Sequence, residues 1–82
     1  MKTDITIEQI KAEVSKRIAN FEKYRLSFEI SQEIVYVKCP SAIVKKQYEV
    51  DVDMGGKSFR QIVDELVPKV TGLIKIYEEK SP

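Results

Sequence analysis

Residues 46–67 have the sequence KQYEVDVDMGGKSFRQIVDELV, in which the spacing of apolar residues changes halfway along. Before the glycine pair, Tyr48, Val50 and Val52 alternate with charged residues. Such alternation is typical of a β-strand with one buried face, because successive side chains point to opposite sides of a sheet. We therefore predict a strand over residues 45–54.

A helix is predicted directly after this strand, over residues 58–79. Ser58 and Gln61 have the spacing of a capping box, in which two side chains satisfy backbone N–H groups at a helix start. Pro68 falls on the polar side, so we expect the helix to bend there, and a break at this position is the alternative. The apolar residues that lie on one helical face are Phe59, Ile62, Val63, Leu66, Val67, Val70, Leu73, Ile74 and Tyr77.

An earlier helix is predicted over residues 6–21. Thr6 and Gln9 form a second capping box at its start. The apolar residues recur at steps of three and four, as on one helical face; they are Ile7, Ile10, Val14, Ile18 and Phe21.

Between these elements we predict a β-hairpin with strands at residues 23–30 and 33–39. A two-residue turn at Ser31-Gln32 fixes the pairing of the strands, and Pro40 ends the second strand because it cannot donate a backbone hydrogen bond. The same pairing brings Leu26 opposite Val37 on the apolar face.

The resulting order is α-β-β-β-α within one domain of residues 1–82. We predict an α+β fold of two layers, in which both helices pack on one face of a three-stranded antiparallel meander. The order is similar to that of double-stranded-RNA-binding domains and of some small toxin nucleases. The chain lacks most of the glycine-rich strands and lysine-rich helix start of the former, and the histidine of the latter.

Composition excludes several kinds of chemistry. The 82 residues include 14 basic and 13 acidic ones, a single Cys and no His, for a net charge of +1. Without His there is no Ser-His or Cys-His nucleophile pair, and one Cys cannot form an intramolecular disulfide. We expect no catalytic residue, metal or cofactor. Without a signal peptide or membrane-spanning stretch, we expect a cytoplasmic protein that does not enter a membrane.

The outer face of the sheet is the first candidate binding surface. The pairing above places Arg25 opposite Lys38, which costs stability unless an acidic group lies between them. Acidic residues gather at the other end of this face: Glu29, Glu33, Glu49, Asp51 and Asp53. We expect a charged protein partner to bind the basic end, formed with the central aromatic side chain by Arg25, Tyr36, Lys38 and Lys45.

The end of the second helix is a further candidate. A helix of this length extends beyond a seven-residue strand, so its last apolar residues are expected to form an interface for a homodimer or another protein. Those residues are Leu73, Ile74, Ile76 and Tyr77. The alternative is that the first helix covers them.

Three smaller features have ordinary structural alternatives. The start of the second helix could bind an anion through Gly55, Gly56, Lys57, Ser58 and Arg60, although a glycine turn into a capped helix explains the same residues. Cys39 is expected to be a small buried side chain rather than a nucleophile. The carboxylates of the third strand are expected to be solvated rather than to hold a cation.

These observations predict a non-enzymatic interaction module, such as a regulator, an adaptor or a phage- or plasmid-encoded inhibitor. The alternative is an RNA- or DNA-binding domain that uses Tyr36 for stacking and the surrounding lysines and arginines for phosphate contacts.

Overall fold

The computed structural model describes residues 5–39 and 48–80, which form an α+β fold with the predicted order of elements. A 3₁₀ helix not predicted from the sequence follows the first α-helix. The elements are α1 (Ile7–Arg17), the 3₁₀ helix (Phe21–Tyr24), β1 (Ser27–Ser31), β2 (Ile34–Cys39), β3 (Tyr48–Asp53) and α2 (Phe59–Lys80). The expected start of the third strand at residues 45–47 lies outside the described residues.

The three strands form an antiparallel meander in the order β1-β2-β3, which confirms the predicted topology. Both α-helices pack their apolar faces against the same side of this sheet. Side chains of the helices and the sheet form one hydrophobic core there. The side chains that are fully buried there are Ile10, Val14, Val35, Val37, Cys39, Val52, Ile62, Val63, Leu66 and Val70. The opposite side of the sheet lies away from both helices.

Both predicted capping boxes are present. At the start of α1, the backbone N–H of Gln9 donates to Thr6 Oγ1 (3.2 Å). The backbone N–H of Thr6 donates to Gln9 Oε1 (3.0 Å). At the start of α2, the backbone N–H of Gln61 donates to Ser58 Oγ (3.2 Å). The backbone N–H of Ser58 donates to Gln61 Oε1 (2.8 Å). These bonds satisfy backbone donors that have no partner within the first turn of a helix.

The first helix is shorter than predicted. It ends at Arg17 because Ile18 is extended and Asn20 adopts a left-handed conformation with φ of 58°, which asparagine tolerates better than most residues. Phe21 still enters the core, but from the 3₁₀ helix that occupies the expected beginning of the first strand. The prediction of helix up to residue 21 was therefore wrong.

The hairpin turn lies one residue later than predicted. Gln32 and Glu33 form it, with φ values of 51° and 63°, and two positive φ angles are the mark of a type I′ turn. Val37 consequently pairs with Phe28 rather than with Leu26. The register differs from the prediction by two residues. The side chains of β1 and β2 therefore stay on their predicted faces of the sheet, but each lies opposite a different residue of the neighbouring strand.

The second helix continues through Pro68, so the alternative of a break there was wrong. The expected bend stays a prediction. Pro68 lies on the exposed side. The carbonyl of Asp64, which has no N–H partner at Pro68, belongs to an exposed residue.

Candidate functional site

The surface best placed to bind a partner is the side of the sheet that faces away from the helices, called here the open face. Its three cross-strand rows follow from the register of β1, β2 and β3. The rows are Ser31–Ile34–Asp53, Glu29–Tyr36–Asp51 and Ser27–Lys38–Glu49. Each of these residues is exposed or partly exposed.

Within the described residues, the row at the start of β1 is balanced in charge by Lys38 and Glu49, whereas the other two rows are acidic; the predicted pairing of Arg25 with Lys38 was wrong. Lys38 has Ser27 and Glu49 beside it in the sheet, and its Nζ lies 3.6 Å from Glu29 Oε1. Arg25 is outside the strand with φ of 50° and does not pair with Lys38. Lys45 lies outside the described residues. Among the described strand residues of this face, four carboxylates accompany one ammonium group.

The centre of the open face is less polar than its surroundings. Tyr36 lies between Glu29 and Asp51, and Ile34 lies between Ser31 and Asp53. Both central side chains are partly buried. An aromatic ring flanked by carboxylates suits a long basic side chain, whose methylene groups can pack on the ring while its charge meets an acid.

The hairpin turn adds acidic character to one end of the open face. A Cβ atom at Gly55 would lie 3.2 Å from Glu33 Oε1 and 3.3 Å from Asp53 Oδ1. Asp53 Oδ1 also accepts a hydrogen bond from the Gly55 amide at 2.9 Å. The two carboxylates therefore crowd around a position that only glycine fits without a shift.

The same carboxylates make the predicted anion site at the start of α2 unsuitable for anions. Glu33 and Asp53 flank Gly55, Ser58 is engaged in the capping box, and Lys57 Nζ lies 3.0 Å from Glu65. Gly56 has φ of 72°, as a turn glycine often does, while Arg60 is exposed on the first turn of α2. The structure shows the alternative, a glycine turn that leads into a capped helix.

The predicted exposed end of α2 is mostly buried, so that expectation was wrong. Leu73 and Ile74 are 2% and 7% exposed, whereas Ile76 is 40% exposed. The ring of Tyr77 meets the ring of Tyr24 edge to face, with centroids 6.1 Å apart. Tyr24, in the 3₁₀ helix, supplies part of this cover. Sequence reasoning missed it because the segment that contains Tyr24 was assigned to a strand.

Tyr24 is also held to α2 by a hydrogen bond from its hydroxyl group to the carboxylate of Glu78. This bond raises the pKa of Tyr24 above its ordinary value of 10.0, and burial and the negative charge of Glu78 act in the same direction. The raised pKa means that folding favours the protonated phenol.

Replacing Tyr24 by Phe is expected to lower the free energy of unfolding at pH 7 to 9. Because the pKa is raised in the folded state, this stabilisation is complete below pH 10.0 and is lost as the pH rises through the folded-state value. Urea unfolding of both proteins between pH 7 and 11.5 should therefore show a gap that closes above pH 10. Tyr36→Phe on the open face is the control, and a gap that stays constant with pH would contradict the proposed bond.

Cys39 is fully buried at the end of β2, and burial raises the pKa of its thiol. A protonated, inaccessible thiol is a weak nucleophile, which agrees with the prediction of a small core residue. Within residues 5–39 and 48–80, no three Cys, Asp or Glu side chains are grouped so that they could hold a metal ion. The carboxylates of β3 thus form a row rather than a cluster of ligands.

Comparison with known proteins adds no assignment. No protein-family model, curated protein or solved structure matches this chain. Neither helix in the described part of the chain is long and apolar enough to cross a membrane.

Proposed function

We propose that this protein is a non-enzymatic binding module that holds a basic segment of another protein on its open face. The observation that supports this proposal is the combination of position and charge. Both helices pack on the other side of the sheet, and the described strand residues of the open face include four carboxylates around Tyr36 and Ile34 and one basic residue, Lys38.

The spacing of the acids explains why a basic partner is favoured. Glu49, Asp51 and Asp53 occupy alternate positions on β3, which places consecutive members about 7 Å apart. Charges at this distance are only partly screened, since the Debye length is about 10 Å at 0.1 M salt. The acids repel one another in the free protein, and lysine or arginine side chains of a partner relieve that repulsion.

The charges on the described part of the sheet face favour a basic partner over the nucleic-acid alternative. Of the basic residues assigned to the sheet face, Lys38 is paired with Glu29 and Arg25 lies outside the strand. Lys57 is paired with Glu65. A phosphate backbone laid on the open face would meet the carboxylates first, and the resulting repulsion opposes binding.

The test is binding of a fluorescent octalysine peptide, measured by anisotropy at 20 mM and 150 mM salt. The double variant Glu49→Gln with Asp51→Asn removes two exposed charges from the open face. Each exposed ion pair contributes about 0.2 to 1 kcal/mol, so the affinity is expected to fall about 2- to 30-fold. Binding should also weaken as salt is added.

The matched control is Glu8→Gln with Glu79→Gln, which makes the same change in net charge at exposed positions on the two α-helices. It should leave the affinity nearly unchanged. An equal loss in both double variants would show that the peptide responds only to overall charge. Failure to bind octalysine at 20 mM salt, together with binding of an RNA or DNA oligonucleotide, would support the nucleic-acid alternative instead.

A further inference from the structure

The two outer edges of the sheet differ in how they are protected. The backbone N–H of Met54 donates to the Glu33 carbonyl at 2.8 Å, so these two residues form a hydrogen-bonded pair. Because hydrogen-bonded and non-hydrogen-bonded pairs alternate in an antiparallel sheet, this bond assigns every pair between β2 and β3. By that alternation Asp51 directs its backbone N–H and C=O away from β2. The Lys69 ammonium group on α2 donates to this carbonyl at 2.8 Å. A helix side chain therefore occupies the edge of β3.

The edge of β1 has no such protection among the described residues. By the same alternation, Glu29 and Tyr36 form a hydrogen-bonded pair between β1 and β2. The backbone N–H and C=O groups of Phe28 and Ile30 therefore point away from β2, toward the free edge of β1. Within residues 5–39 and 48–80, no strand adds to this edge. Edge strands of stable proteins are usually shielded by lysine, proline or a bulge, whereas β1 has the sequence SFEIS. Outward backbone groups of this kind form hydrogen bonds with an added strand.

We propose that the basic segment joins the sheet as a fourth strand, antiparallel to β1, with alternating basic and apolar residues. This inference rests on the proposed function, because it states how the basic segment is held. The basic residues would continue the open face beside Glu29. The apolar residues would lie on the other side, beside Phe28 and Ile30, which pack against the core while remaining partly exposed.

The structure provides space for the apolar residues at the start of β1. The rings of Phe21 and Phe28 lie 5.9 Å apart, and Phe21 and Leu26 line a surface groove together with Lys11, Glu22 and Arg25. Phe21 and Leu26 are themselves buried, so an apolar side chain that enters this groove would pack mainly against the methylene groups of the charged residues at its rim.

A second copy of the chain is a poorer occupant of the same edge. Full antiparallel overlap of two β1 strands places Glu29 opposite the same residue of the second copy, in a non-hydrogen-bonded pair whose Cα atoms are about 4.5 Å apart. Like charges directly opposite one another destabilise a sheet. A lysine or arginine at that position converts the repulsion into an attraction, so charge favours a basic partner over self-association.

The test uses the blocked heptapeptide Val-Lys-Val-Lys-Val-Lys-Val in two N-methylated forms of equal charge. In the proposed arrangement, the valines opposite Phe28 and Ile30 donate their N–H groups to β1, whereas the lysine N–H groups point away. N-methylation of the two central valines should therefore weaken binding about fivefold or more, since each lost hydrogen bond contributes about 0.5 to 1.5 kcal/mol. N-methylation of two lysines should change the affinity by less than about threefold.

A second arm tests the contribution of Glu29. Glu29→Gln should weaken binding of the unmodified heptapeptide several-fold, whereas the matched change Glu79→Gln on α2 should not. Equal binding of both N-methylated peptides would overturn strand addition and leave docking on the open face intact. A dimer observed by sedimentation without peptide, and lost in a Phe28→Asp variant, would overturn it in favour of self-association.

Discussion

Leu66→Ala is expected to lower the free energy of unfolding by about 2.5 to 4 kcal/mol, the largest effect of any single substitution considered for this protein. Leu66 is fully buried on the apolar face of α2, where that face packs against the sheet. Truncation removes buried methyl groups and leaves a cavity that the surrounding side chains fill only in part. A domain of this size loses about 4 to 8 °C in Tm for each kcal/mol, so thermal unfolding followed by circular dichroism will detect the change.

Ile76→Ala is the matched control for this substitution. Ile76 belongs to the same helix but is 40% exposed, so its truncation should cost less than about 1 kcal/mol. The difference between the two variants measures how strongly one face of α2 is buried. Equal losses of stability would contradict the described packing of α2 on the sheet.

Gln32→Asn combined with Glu33→Gly is expected to raise the free energy of unfolding by about 2 kcal/mol. Both residues adopt positive φ angles, 51° and 63°, which non-glycine residues reach only at a cost. Asn-Gly is the preferred pair at the centre of a type I′ turn. Urea unfolding of the double variant should show a higher midpoint with an unchanged dependence on denaturant.

The control places the same dipeptide one residue earlier, as Ser31→Asn with Gln32→Gly. In the observed register Ser31 belongs to β1 and pairs with Ile34. Glycine at Gln32 relieves the positive φ of that one residue only, so the gain should be smaller than that of the first variant. A gain in stability from this control, with a loss from the first variant, would support the register predicted from the sequence.

The turn also has a consequence for binding. Glu33 occupies a position where glycine is more stable, and its carboxylate lies next to that of Asp53. Strained residues that persist in a structure often have a functional role. Under the proposed function, the stabilised variant should bind octalysine more weakly, because one carboxylate of the acidic surface is lost.

The fold class could be predicted because the apolar spacing changes clearly between elements. A period of two places Val50 and Val52 on one side of a strand whatever their partners, and the capping boxes at Thr6 and Ser58 mark both helix starts. These patterns depend only on local geometry. The assignment of residues to the core was therefore less sensitive to errors in pairing.

The register could not be predicted by the same means. A shift by two residues keeps Phe28 and Val37 on the apolar face in either case, so hydrophobic alternation does not distinguish the two registers. The choice depends on the turn, and neither Ser31-Gln32 nor Gln32-Glu33 is a preferred pair for a tight hairpin. The position of Lys38 relative to other charges followed from that choice, which is why the predicted pairing of Arg25 with Lys38 was wrong.

The cover over the end of α2 was missed for a related reason. Phe21 and Tyr24 are aromatic residues three positions apart, a spacing that fits one face of a helix. The prediction divided them between the end of the first helix and the start of the first strand. Asn20, which tolerates a left-handed conformation, was an available sign that α1 stops before it. The outward hydrogen-bonding groups of β1 depend on the register and could not be assigned before it was known.

Nuclear magnetic resonance of the labelled protein titrated with octalysine tests the central claim most directly. Amide signals of the open face, among them those of Glu29, Tyr36, Glu49 and Asp51, should shift with added peptide, while the signals of α1 and α2 away from the sheet remain in place. Shifts confined to the helices, or none at a peptide concentration that saturates the anisotropy signal, would show that the acidic open face is not the binding surface.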